Sequence, residues 1–265
     1  MPEHLRGIVI TNLRRRHFAV VAALSALSLT GCAATTSGLT AASYASALAD
    51  PARPAADTAR DATRFPGELL AFAGIKPGQK VGDFVMGGGY FTRILAAAVG
   101  PSGHVYAFQP NEFIAFRKEY GAEQKTVDDA YANVDGVGGP FAAPAFPVKL
   151  DAIITVQNFH DLYLKPFPAG TGAKASKALF AALKPGGVLV VVDHSAIAGS
   201  GTAPADTLHR IDKQAVVGEL TGAGFKLEAS SDLYARPADP RNANVFDPSI
   251  RGKTDQFTLR FRKPK

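Results

Sequence analysis

The chain carries one cysteine in 265 residues, so no disulfide can form within it and packing alone has to hold the fold. It lacks a Lys/Arg-rich run beyond the N-terminal arginines. The formal charge is +6, and half of it lies in residues 1–31, where Arg6, Arg14, Arg15 and Arg16 face only Glu3. The electrostatic footprint of a nucleic-acid binder is therefore missing, and neither a nucleic-acid nor a protein partner is expected. There is no Gly-x-Ser-x-Gly elbow, which argues against a serine hydrolase. There is no Gly-Lys-Ser/Thr loop, and the third spaced glycine of a dinucleotide fingerprint is replaced by Thr92, so both nucleotide-loop readings fail. No internal repeat is visible, and no apolar run is long enough for a permanent membrane span. Apolar residues make up 46% of the chain, sufficient for the packed core of one large domain.

The N-terminus reads as three arginines, Arg14 to Arg16, an apolar run from Phe18 to Leu29, and then Thr30-Gly31-Cys32. This order resembles a lipoprotein signal peptide. The resemblance implies that residues 1–31 are removed and that Cys32 is acylated. The protein would then be exported and lipid-anchored to a bacterial membrane, facing the periplasm. Arg15-Arg16-His17-Phe18 also resembles a twin-arginine signal, and the ordinary export route fits equally. Residues 32–60, rich in Ala, Ser, Thr, Gly and Pro without apolar period, are expected to form a flexible tether. Residues 61–265 would form the folded domain.

Within that domain the periodicity predicts a short helix over 65–72, a strand over 81–85, a glycine loop at Gly87-Gly88-Gly89 and a helix over 90–99. A turn at 100–103 and a strand over 104–108 complete a βαβ unit. Strands follow over 150–156 and 188–192, a helix over 174–183 and a turn at Lys184-Pro185-Gly186-Gly187. A helix over 214–223 and strands over 225–230 and 256–262 close the chain, the last two paired antiparallel across a Pro-containing loop. The continuous apolar strands predict a mostly parallel sheet covered on both faces.

Val81 to Thr92, read Val-Gly-Asp-Phe-Val-Met-Gly-Gly-Gly-Tyr-Phe-Thr, resembles the first motif of class I S-adenosylmethionine-dependent methyltransferases. Ala107-Phe108-Gln109-Pro110, Asp151-Ala152-Ile153-Ile154 and Leu183 to Leu189 resemble that family's later strands, in the same order. With Asn158 to Tyr163 and Leu208 to Ile211, the chain is similar to a subgroup of exported methyltransferases. The resemblance implies an α/β fold: a doubly wound, mostly parallel, seven-stranded Rossmann-like sheet with an antiparallel last strand. It implies S-adenosylmethionine as cofactor, with Asp83 orienting the loop, Gly87, Gly88 and Gly89 approaching the methionine moiety, and Gln109 and Asn158 nearby. Two residues depart from the pattern. Val85 replaces the first glycine, and Gln109 replaces the acid that takes the ribose hydroxyls; Glu112 offers a substitute.

In open α/β sheets ligands bind beyond the carboxyl ends of the strands. His160, His194 and His209 fall there, with Asp161 and Asp193 beside them. A methyl acceptor that must lose a proton needs a base, and His160 or His209 suits that role. Asp161 or Asp193 would orient an imidazole, with Tyr163 and Arg210 shaping the pocket of a small-molecule acceptor. His160, Asp161, His194 and His209 are the catalytic candidates. Their spacing matches no tight metal-ligand motif, so no metal is assigned, although a metal-dependent hydrolase stays open. Arg236, Arg241 and Asn242 are candidates for a loop closing over the site. The competing reading is a non-catalytic ligand-binding lipoprotein on the same fold.

Overall fold

A computed structural model describes residues 38–265; residues 1–31, expected to be a signal peptide, and Cys32 lie outside the described residues. Seven strands form one sheet: β1 (Lys80–Phe84), β2 (His104–Pro110), β3 (Val134–Gly139), β4 (Leu150–Val156), β5 (Leu183–His194), β6 (Lys226–Ser231) and β7 (Gln256–Arg262). Their order is β3-β2-β1-β4-β5-β7-β6. The five strands from β3 to β5 run parallel, while β7 pairs antiparallel with both β5 and β6.

The aliphatic run in β5 shows why the sheet must be covered twice. Alternate residues of a strand face opposite sides. Val188, Val190 and Val192 enter one core with Leu69, Leu70, Ile94 and Leu95, from the helices Pro66–Ala73 and Tyr90–Val99. Leu189 and Val191 enter the other with Leu179, Val216 and Leu220, from the helices Thr171–Ala182 and Lys213–Gly222. The Lys-Pro-Gly-Gly segment, expected as a turn, lies inside the bounds of β5. There the pairing with β4 jumps from Leu150/Leu183 to Ala152/Val188, and Gly186 takes φ 80°, a conformation glycine adopts without steric cost.

Two regions differ from the sequence reading. β3 is built from Val-Asp-Gly-Val-Gly-Gly and is mostly exposed, so it has no apolar run to reveal it. Its order comes from parallel pairing with β2 and from the Gln124 amide, which donates to the carbonyls of Ala107 and Val137 at 2.8 and 3.0 Å. The second difference concerns the expected tether. Residues 41–58 form short helical turns, and the buried Tyr44 hydroxyl donates to the carbonyls of Ile75 (2.7 Å) and Leu70 (3.1 Å). Arg53 forks onto both carboxylate oxygens of Asp61, and Asp57 takes Arg60 and Arg93. Residues 41–60 are thus part of the domain. A few polar anchors hold an alanine-rich stretch whose small side chains show no period.

Candidate functional site

The chain leaves β1 through Val85, whose backbone is left-handed at φ 67°. The amides of Val85 and Met86 both donate to the Phe108 carbonyl at the end of β2, each at 3.0 Å. Gly87 follows at φ 54° and Gly89 at φ 80°, and the helix Tyr90–Val99 begins. A side chain at Gly87 would meet nothing within 4 Å, and one at Gly88 only Glu123, at 3.7 Å. The loop therefore borders open space. That space is a cavity of about 960 Å³ beyond the carboxyl ends of β1, β4 and β5, where open α/β sheets place their ligands.

One end of the cavity is the loop. Asp83, Gly87, Gly88 and Asn158, four of the residues that the resemblance assigns to the cofactor, line it. Asn158 donates to the carbonyls of Val85 (3.2 Å) and Val156 (2.8 Å), tying the loop to the end of β4. Buried Asp83 accepts from the Thr92 hydroxyl at 2.6 Å. Burial raises its pKa to about 6, against the pull of Thr92 and of the Arg64 guanidinium. Gly89 lies outside the lining: a side chain there would strike Val127 at 2.6 Å, so this glycine serves packing. Gln109 also stays out of the cavity; its Oε1 accepts from the Gly87 amide at 3.1 Å, while its buried Nε2 has no partner among the described residues. The same holds for Oε2 of Glu123, which does line the cavity. Glu112 lines it as well, and both its oxygens accept from the Phe141 amide.

At the other end the four catalytic candidates converge. His160 sits on a short turn after β4, with its amide donating to Asp193 Oδ2 at 2.7 Å and its Nδ1 2.8 Å from Asp193 Oδ1. Its Nε2 lies 3.1 Å from Asp161 Oδ1 and 3.3 Å from His209 Nδ1. Burial depresses the pKa of this imidazole, but Asp193 and Asp161 together overcome that effect and raise it to about 10. Asp193, fully buried, is driven up by burial and more than recovered by His160, ending below its ordinary value. His194 is pushed down to about 4, first by burial, and its Nδ1 meets the Thr254 hydroxyl at 2.9 Å. Burial and the neighbouring charge of His160 also lower His209. His209 is left-handed at φ 52°, and with Val85 and Gln157 (φ 66°) it makes three of the five non-glycine residues in that conformation among the described residues cavity-lining. Such strain gathers where the surrounding structure holds a side chain in a particular place.

Two expected pocket residues do not reach the cavity. Arg210 is wholly buried, paired with Asp239 at 2.8 Å and donating to the carbonyls of Ser195 and Ala243. A guanidinium there organises the Pro-containing loop from behind. Tyr163 packs over Gly172, and its hydroxyl points to Glu219 at 3.3 Å. The loop before β7 does cover the site, but through Val245 and Phe246; Arg241 instead pairs with Asp255 at 2.9 Å. Sequence reasoning missed Arg64, Glu123 and the aromatic wall of Phe113, Phe116 and Phe167. Arg64 donates to Gln157 at 2.9 Å and stacks over Tyr90. These residues lie on the helices and turns flanking the loop, where nothing in their spacing separates them from an ordinary solvated face.

No family model and no curated protein matches this sequence. Solved structures do. An S-adenosylmethionine-dependent methyltransferase from Aquifex aeolicus aligns at 20% identity over 82% of this chain and 97% of its own, with a TM-score of 0.54. A putative sarcosine dimethylglycine methyltransferase from Galdieria sulphuraria aligns at 16% over 79% and 88%, TM-score 0.53. The cyclase SpnF aligns at 15% over 77% and 82%, TM-score 0.54. At these identities the likeness concerns architecture, and with the strand order it leads to one conclusion: the chain has the Rossmann-like fold of class I S-adenosylmethionine-dependent methyltransferases.

Proposed function

We propose that this protein transfers a methyl group from S-adenosylmethionine to a small, largely apolar acceptor. The observation that carries the reading is the single cavity joining the glycine loop to the histidine–aspartate rim. The loop end fits the donor. Gly87 and Gly88 leave their backbone open. The unpartnered Oε2 of Glu123, which lines the cavity beside the loop, offers an acceptor for a ribose hydroxyl, in place of the acid missing at the end of β2. Arg64 and Asp83, both cavity-lining, match the carboxylate and ammonium of an amino acid in sign.

S-adenosylmethionine supplies an electrophilic methyl on a sulfonium, and its transfer is chiefly a matter of positioning. In this chain Asn158 fixes the loop, while Phe246, its ring centroid 4.9 Å from that of His209, gives the acceptor half an apolar wall. The cluster of His160, Asp161 and His209 faces that half, and with His160 holding its own proton, His209, whose pKa is lowered, is where a proton leaving the acceptor would go. Calorimetric titration of the full chain with S-adenosylmethionine and S-adenosylhomocysteine tests the reading. Micromolar binding of either supports it, and a folded protein that binds neither refutes it.

From the sequence alone we also infer export through the signal in residues 1–31 and lipid attachment at Cys32, with the domain facing the periplasm. Mass spectrometry of the membrane-extracted protein checks this. A diacylglyceryl thioether on an N-terminal Cys32 is expected; an unprocessed Met1 terminus contradicts it.

A further inference from the structure

We infer that His160, Asp161 and His209 form a binding site for one divalent first-row transition metal ion, held in place by Asp193. The three ligand-type atoms are His160 Nε2, Asp161 Oδ1 and His209 Nδ1, and they lie within 4.8 Å of one another. Their separations are 3.1, 3.3 and 4.0 Å. A triangle with those sides has its centre about 2 Å from every corner, the bond length of zinc to imidazole nitrogen or carboxylate oxygen, about 2.0–2.2 Å.

Hydrogen bonding alone serves this cluster poorly. His160 Nδ1 is committed to Asp193, so Nε2 has one position left and faces two atoms, a carboxylate oxygen and the His209 nitrogen. One hydrogen cannot bridge all three, and the 4.0 Å gap between Asp161 and His209 exceeds any hydrogen bond. A single cation at the centre, displacing the proton from His160 Nε2, takes a lone pair from all three atoms at once. The surroundings fit the same reading. A metal-bound histidine commonly gives its other ring N–H to a carboxylate, and Asp193 supplies one that is fully buried and also accepts the His160 amide. Two buried carboxylates, Asp161 and Asp193, converge here, and the side chains that pair with them are imidazoles, the His160 and His194 amides donating to Asp193 as well.

The backbone adds an independent observation. His209 is held left-handed at φ 52° at the end of the turn Ala205–Leu208, and that conformation aims its Nδ1 at His160. Two nitrogens and one carboxylate oxygen suit Zn²⁺, Fe²⁺, Co²⁺ or Ni²⁺ better than Mg²⁺ or Ca²⁺, which prefer all-oxygen shells. Three protein ligands leave positions open, and here they open into the cavity, as in metal sites that take water or substrate. An oxygen of the acceptor is the natural further ligand. The ion site stands on its own geometry and does not depend on the donor reading.

The test is Co²⁺ and Zn²⁺ binding by the untagged full chain after chelator treatment, followed by equilibrium dialysis with elemental analysis and by the visible spectrum of the cobalt form. One equivalent per chain is expected, with the visible bands of low-coordinate cobalt. His209→Asn keeps a residue that tolerates the left-handed backbone and should abolish the stoichiometric site. Asp193→Asn should weaken binding about 10- to 100-fold by loosening His160. Circular dichroism and S-adenosylhomocysteine titration of each variant show whether the fold and the donor end persist. Substoichiometric uptake by the wild type, or stoichiometric binding unchanged in a folded His209→Asn or Asp161→Asn, overturns the assignment. Metal uptake without S-adenosylhomocysteine binding would sustain the ion site while refuting the donor reading.

Discussion

Replacing Asp83 by asparagine exposes what the loop end of the cavity costs the fold. The carboxyl is buried and titrates at about 6, against 3.8 for a free aspartate. Between those values the unfolded chain has released its proton and the folded chain still holds it, so the folded state binds more protons and stability falls as pH rises through this window. Above about pH 6 the whole cost is present, and below about 3.8 none is. A gap of about two pH units, at about 1.4 kcal/mol each, corresponds to about 3 kcal/mol. The asparagine keeps an oxygen for the Thr92 hydroxyl but buries an amide NH2 in place of a carboxylate oxygen, and a buried donor without a partner costs about 1 kcal/mol. Asp83→Asn should therefore be more stable than wild type by about 2 kcal/mol at pH 7.5, roughly 4–8 °C in melting temperature for a domain of this size. The advantage should shrink toward zero or below near pH 4. Urea unfolding of both proteins between pH 4 and 7.5 isolates this residue, because the other titrating groups cancel in the difference. A variant that is less stable at pH 7.5, or a difference that does not move with pH, would refute the reasoning.

Three further substitutions probe other parts of the account. Arg210→Met leaves Asp239 buried without its partner, and chemical unfolding should show a loss of about 3–5 kcal/mol. Tyr44→Phe removes the bonds to Leu70 and Ile75; a loss of about 1–2 kcal/mol is expected, whereas a free tether would give none. Val85→Gly should be more stable than Val85→Ala by about 1 kcal/mol, since the position is left-handed and only glycine adopts that backbone freely. The opposite order, usual inside regular elements, would contradict the backbone assignment.

How far the sequence could be read follows the physics of burial. β4 and β7 begin and end where their apolar patterns do, and the helix Tyr90–Val99 matches its period, because each is specified by a hidden face. β3 and residues 41–60 carry no such face. One is ordered by sheet pairing and a glutamine amide, the other by Tyr44, Arg53 and Asp57, and single polar anchors leave no periodic trace. At the site, topology alone brought His160, His194 and His209 to one rim, since each follows or neighbours a strand end. Direction was the hidden variable for the rest. Arg210 adjoins His209 in sequence yet points into the protein, and Gln109 turns under the loop to hold Gly87. Metal-ligand spacing was invisible for the same reason: His160 meets His209 across a sequence separation of 49, through a left-handed backbone that no motif records.

The central claim is that the space over Gly87 and Gly88 receives S-adenosylmethionine. Gly88 has an ordinary backbone, and an added side chain there meets only the far end of Glu123, so Gly88→Val should fold while filling the donor end. Calorimetric titration with S-adenosylhomocysteine, wild type beside Gly88→Val, tests the claim most directly. Micromolar binding by the wild type and at least about tenfold weaker binding by the folded variant, about 1.4 kcal/mol, is the predicted result. No binding by the wild type, or equal binding by both, would contradict it.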